Sequence, residues 1–186
     1  MKEGQSAEED FNFTVGLLAA FFSRARVRST LQKIYETEAT GWEKWWQIEL
    51  AMFLSDYEDV AEWDIEEVFL TDLRTGTAKD RMAIDVCFRR KGYAKGHFVF
   101  LELKQDRDWK RCIANMLGDA EKFAMSHKRS ESGLDVRSFF LVGVYPSEDK
   151  AEVHDYIEDA ADRCEVDWDF METRFIPETE YSFTVV

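Results

Sequence analysis

The chain has 186 residues, 45% of them apolar and 15% aromatic, with two prolines and a formal net charge of −14. This composition excludes an intrinsically disordered chain, and the length suits one domain with a sizeable core. The charge opposes long-range attraction to a phosphate backbone, and no apolar run reaches the ~18–20 residues that a membrane helix needs.

Residues 11–28 are rich in Leu, Ala and Phe and predict a first helix, which Ser29 and Thr30 interrupt or follow with a second turn. Acidic Glu3, Glu8, Glu9 and Asp10 precede its apolar stretch, and Arg24, Arg26 and Arg28 follow it. A secretory signal has the opposite order, so the expectation is a soluble helix in a cytoplasmic protein. Thr40-Gly-Trp-Glu43 matches a capping box and predicts a helix running to about Ser55. Trp42, Trp45, Trp46, Met52 and Phe53 recur at helical spacing. Glu49 falls within that stripe and is expected to face the core, where a carboxylate needs a cation, a metal or a proton. Arg81 is an alternative partner.

Strands are predicted at residues 66–73, 82–90 and 97–104, the last two joined by a hairpin turn containing Gly92 and Gly96. Residues 106–126 read as an amphipathic helix, 136–145 as a buried strand ended by Pro146, and 147–163 as a helix capped by Ser147. Residues 181–186 suggest a last strand. The order α-α-β-β-β-α-β-α-β predicts an α/β fold around a mixed sheet. It is read as a single domain over 1–186, with a core at 40–145, an N-terminal helical extension at 7–37 and an acidic C-terminal helix and strand at 147–186. Between Glu148 and Glu180, thirteen acidic residues face three basic ones. Cys87, Cys112 and Cys164 are odd in number and widely spaced, which argues against a disulfide framework or a Cys zinc site. The three histidines form no closely spaced ligand pair.

Chemistry concentrates in the two hairpin strands. Asp85 lies on one face of its strand, flanked on that face by the small Ala83 and Cys87. Glu102 and Lys104 share a face of the next strand. Pairing the strands as a hairpin is expected to bring Asp85 to Glu102, with Glu49 completing the cluster. Converging carboxylates repel one another unless a divalent cation or protons compensate. Oxygen ligands favour Mg2+ or Mn2+.

Ile84-Asp85-Val86 followed by Phe100-Leu-Glu-Leu-Lys104 resembles the D…(D/E)-X-K motif of the PD-(D/E)XK nuclease superfamily, which has the restriction-endonuclease-like fold. The helical Glu49 resembles that superfamily's first motif, and residues 40–145 follow its α-β-β-β-α-β order. No proline precedes Asp85; Ile84 stands there. The resemblance implies a hydrolase: Asp85, Glu102 and the Leu103 backbone carbonyl holding the metal, Glu49 supporting it, and Lys104 assisting hydrolysis. It places Gln105 at the site and Lys110, Arg111, Asp119 or Lys122 within reach of substrate. Asp119 and Lys122 read more simply as a surface pair three residues apart. The Trp42/Trp45/Trp46 set reads as core rather than as a base-stacking platform. Arg24, Arg26, Arg28 and the turn at 89–91 are further candidate phosphate contacts.

Two functions follow. The first is a metal-dependent nuclease acting on DNA or RNA, alone or as an oligomer, or in a complex whose partner supplies a basic channel. The alternative is a catalytically silent module on the same fold that engages a basic protein partner through its acidic C-terminal segment. The charge of −14 favours the second; the Asp85–Glu102–Lys104 set favours the first.

Overall fold

The computed structural model describes residues 3–70, 81–124, 129–164 and 170–186, apart from the side chains of residues 3–5, 121 and 161–164. Its elements in chain order are α1 (Glu3–Phe22), α2 (Ala25–Thr37), α3 (Glu43–Asp56), β1 (Val60–Leu70), β2 (Arg81–Arg90), β3 (His97–Gln105), α4 (Trp109–Ala124), β4 (Asp135–Pro146), α5 (Lys150–Cys164), β5 (Glu172–Phe175) and β6 (Tyr181–Val185). The fold is α/β. Six strands form one mixed sheet in the order β1-β2-β3-β4-β6-β5. All neighbours are antiparallel except β3 and β4. That parallel pair requires a crossover, and α4 supplies it.

Alternation along the strands divides the core between the two sheet faces. Val99, Leu101 and Leu103 of β3 join Val142 and Val144 of β4 in a cluster with α1, α2 and α3. Leu141 and Tyr145, one residue out of phase, pack instead with Cys112, Ile113 and Met116 of α4 and Val153 and Ile157 of α5. A smaller cluster of Phe69, Ile84, Cys87, Phe98 and Phe100 lies along β1–β3. Gly143 lets α4 approach β4 closely: a Cβ there would collide with Met116 Sδ and lie 3.2 Å from Cys112 Sγ. Among the described residues, no helix is long and apolar enough to cross a membrane.

Several expectations change. The first helix breaks at Ser23–Arg24, and Ser29 and Thr30 lie inside α2. The N-terminal helices are no appendage, since Val15, Leu17, Leu18, Phe21, Phe22, Leu31 and Ile34 are buried in the largest core cluster. Asp10, fully buried, ties α1 to the sheet. It accepts from Arg137 Nε at 2.8 Å, Ser138 Oγ at 2.7 Å and Tyr93 Oη at 2.7 Å. The capping box does not form: α3 begins at Glu43 behind Trp42, which makes no side-chain cap hydrogen bond. Asp149 rather than Ser147 caps α5, its Oδ1 accepting from the amides of Ala151 and Glu152. β1 begins six residues before its predicted start, and β5 was not expected. The predicted strand end at 71–73 and helix end at 125–126 lie outside the described residues. The last strand forms as expected at β6, and its Tyr181, Phe183 and Val185 are core residues. Cys87 and Cys112 are free and buried.

Candidate functional site

The site forms where the β2–β3 ladder opens. Its last paired residues are Val86 and Leu101. One step further along both strands come Asp85 and Glu102, as the hairpin reading expects. There the side chain of Asp85 substitutes for a strand backbone: Oδ2 accepts the Leu103 amide at 2.9 Å. Gln47 of α3 donates to the Asp85 carbonyl at 2.6 Å and lies 3.4 Å from Oδ1. The same Gln47 amide donates to Glu66 of β1, which is ion-paired to Lys44 at 2.6 Å. Glu66 has left-handed backbone geometry, φ 59°. For a non-glycine residue that conformation costs about 1–3 kcal/mol and persists only where the surroundings impose it. Here Gln47 and Lys44 hold it.

Glu102 and Lys104 sit two residues apart on β3 and therefore on one face. Glu102 is only 7% exposed. Its Oε1 accepts from Lys104 Nζ at 2.7 Å, while Oε2 is buried with no hydrogen-bond partner. Burial and the neighbouring Asp85 push the Glu102 carboxyl up to about 7, outweighing the opposing pull of Lys104. Burial likewise raises Asp85, against the Leu103 amide and Lys104. Lys104 lies 2.8 Å from Asp119 Oδ2 of α4 and 3.2 Å from the Leu103 carbonyl. Burial opposes its charge, but Glu102 and Asp119 raise its pKa further. Burial works against ionised Asp119 too, and Lys104 and Lys122 overcome it and lower its pKa.

Glu49 is not part of this cluster. It is buried but ion-paired at 2.5 Å to Arg26 of α2, whose side chain is 73% exposed. At 100° per residue, Glu49 lies about 200° around α3 from Gln47, on the side away from Asp85. The carboxylate of α3 that turns to the site, beside Gln47, is that of Glu43. Its Oε2 accepts the Gln105 amide at 3.2 Å. Burial raises its pKa, with Lys104 lowering and Asp85 raising it in turn.

Asp119 forms the expected pair with Lys122 three residues on, but Asp119 itself is buried rather than on the surface, and it also binds Lys104. Gln105 borders the site through its backbone. Lys110 is exposed, its amine 5.0 Å above the Trp109 ring and 4.0 Å from Glu152. Arg111 is held by Asp106 in a two-pronged pair at 2.5 and 2.6 Å. Trp42 and Trp46 are core residues, as expected.

The sequence reading therefore missed Glu43, Gln47 and Glu66, and the burial of Asp119 against Lys104. A usable signal was present: Glu43 and Gln47 are one helical turn apart, and Gln47 is a polar residue within an apolar segment. Comparisons with protein-family models, curated proteins and solved structures yield no match.

The donor chemistry fits a hard divalent cation. Asp85, Glu102, Glu43 and the Leu103 carbonyl offer only oxygen, and the partnerless Glu102 Oε2 calls for a cation or a proton. As they stand, no three His, Cys, Asp or Glu side chains among the described residues group closely enough to hold a metal ion. The Lys104 ammonium lies between the carboxylates instead.

Proposed function

We propose that the chain is a Mg2+- or Mn2+-dependent nuclease that hydrolyses phosphodiester bonds in DNA or RNA. The observation that carries this reading is the convergence of Asp85, Glu102 and Lys104 at an opened strand pair, with one Glu102 oxygen buried and unsatisfied. The order α3, β1, β2, β3, α4, β4 supports the finer fold reading, a restriction-endonuclease-like α-β-β-β-α-β core. Asp85, Glu102 and the Leu103 carbonyl would hold the metal, which when bound supplies a lowered water pKa and a counter-charge to phosphate.

The protein's own groups do the rest. Asp85 is oriented by the Leu103 amide and by Gln47, so its carboxylate is fixed before substrate arrives. Glu43 holds the Gln105 amide and with it the end of β3 beyond Lys104. The Lys104 ammonium, kept charged by its neighbours, stabilises negative charge on a phosphate oxygen. A cytoplasmic location and a nucleic-acid partner belong to the same proposal.

A second reading has its own support. Lys104 is neutralised from two sides, by Glu102 and Asp119, and the chain's charge is −14. Both suit a silent module that binds a basic protein. The test is cleavage of single- and double-stranded DNA and of RNA in Mn2+, Mg2+ or EDTA, beside Lys104→Ala. Metal-dependent cutting, lost in the variant while its melting temperature is retained, supports the nuclease. No cutting of any substrate, with no metal-induced rise in melting temperature, leaves the binding module.

A further inference from the structure

The Lys104 ammonium touches two groups that the nuclease reading assigns to the metal: the Glu102 carboxylate, through Oε1 at 2.7 Å, and the Leu103 carbonyl at 3.2 Å. A divalent ion on the same carboxylate and carbonyl would lie close to the ammonium, and like charges that close repel strongly in a buried setting. Lys104 nevertheless has a third partner that belongs to neither strand. Asp119 Oδ2 of α4 lies 2.8 Å from the amine. The other Asp119 oxygen is engaged by Lys122, whose exposed side chain lies one turn further along α4. Asp119 is thus a buried, ionised anchor with one oxygen turned toward Lys104. The lysine stem, with its four flexible carbons, allows the amine to leave Glu102 without leaving Asp119. Glu102 Oε2, buried and partnerless, indicates that the lysine satisfies only half of what that carboxylate requires.

Resting on the metal-dependent reading above, we infer that Lys104 is a built-in competitor for the divalent cation and that Asp119 is the position to which it withdraws when the ion enters. Asp119 is then a positioning residue that acts through Lys104. It raises metal affinity by stabilising the withdrawn lysine, because apparent affinity scales with the fraction of molecules whose site is open.

The test is Mn2+ affinity of the full chain by calorimetry, without substrate, in a double-mutant cycle. Lys104→Met is expected to tighten binding. Asp119→Asn is expected to weaken it about tenfold where Lys104 is present, and to have little effect in the Lys104→Met background. Lys122→Met, at an exposed position that does not endanger folding, gives an independent arm. Freeing Asp119 for Lys104 should tighten binding, again only where Lys104 is present. Equal effects of Asp119→Asn in both backgrounds would make Asp119 a direct counter-charge or ligand and overturn the inference. So would an unchanged affinity in Asp119→Asn, or weaker binding in Lys104→Met. Failure of the unaltered chain to bind Mn2+ at all would instead sink the metal-dependent reading itself, a separate outcome.

Discussion

Glu102 offers the sharpest physical test, because its charge is costly to the fold. Its carboxyl is raised from 4.5 to about 7 by burial and by Asp85. Each tenfold change in proton affinity corresponds to about 1.4 kcal/mol, so ionised Glu102 costs about 3 kcal/mol relative to the unfolded chain. A carboxyl with a folded pKa above its unfolded one imposes no penalty below pH 4.5. The penalty grows as pH rises through 7 and is complete above that. Glu102→Gln mimics the protonated form and keeps an oxygen for Lys104. The variant should match the unaltered protein at pH 4.5 and exceed it by about 3 kcal/mol at pH 8.5, measured by urea unfolding without divalent ions. Saturating Mg2+ should narrow the gap at pH 8.5, because the ion favours the charged carboxylate. A stability difference that is the same at both pH values would refute the reasoning, since it would mean that Glu102 is not strained by its charge.

Three further outcomes follow from the geometry. Glu43→Ala should lower cleavage at least about tenfold while Glu49→Ala leaves it unchanged, because Glu43 holds the Gln105 amide at the end of β3 and Glu49 pairs with Arg26; the reverse ranking in a cleavage assay would restore Glu49 to the site. Asp10→Asn should cost about 2–3 kcal/mol in denaturant unfolding, as Arg137 loses its buried partner but keeps some water. Gly143→Ala should cost about 1–3 kcal/mol by overpacking against Met116 and Cys112, seen as a lower melting temperature; an unchanged value would show that the α4–β4 contact yields freely.

The strands that carry the site were legible because Met82, Ile84, Val86 and Phe88 alternate along β2, Phe98–Leu101 of β3 is a short run of aromatic, β-branched and aliphatic residues, and Gly92 and Gly96, both at positive φ, mark the turn between them. The two-residue spacing of Glu102 and Lys104 alone placed them on one face. Rotation about α3 was not legible. The apolar residues of α3 point in several directions, with Met52 exposed and Gln47 buried, so their spacing does not reveal that Glu43 and Gln47 face β2 and β3. What decides the rotation is the demand of the Asp85 carbonyl and the Gln105 amide for partners, and these lie 38 and 62 residues away. Asp119 was half legible for the same reason: its pair with the local Lys122 forms as expected, whereas Lys104 reaches it only once α4 has crossed over the sheet. The break between α1 and α2 has no proline or glycine to announce it, and β5, four residues long, is too short for a periodic signal.

The anchoring of α1 has a consequence for the order in which the chain folds. Helix α1 is secured by Asp10 to Tyr93, Arg137 and Ser138, 83, 127 and 128 residues downstream. The β2–β3 hairpin closes over a six-residue turn and can form early, but α1 cannot be fully seated until β4 exists. Long-range closures of this kind slow folding and expose unpaired surface meanwhile. Phe21 and Phe22 can pack early against Phe53 and Trp46 of α3, but Asp10 has no partner for its Oδ2 until Arg137 and Ser138 of β4 are in place, so the seating of α1 on the sheet is a late step.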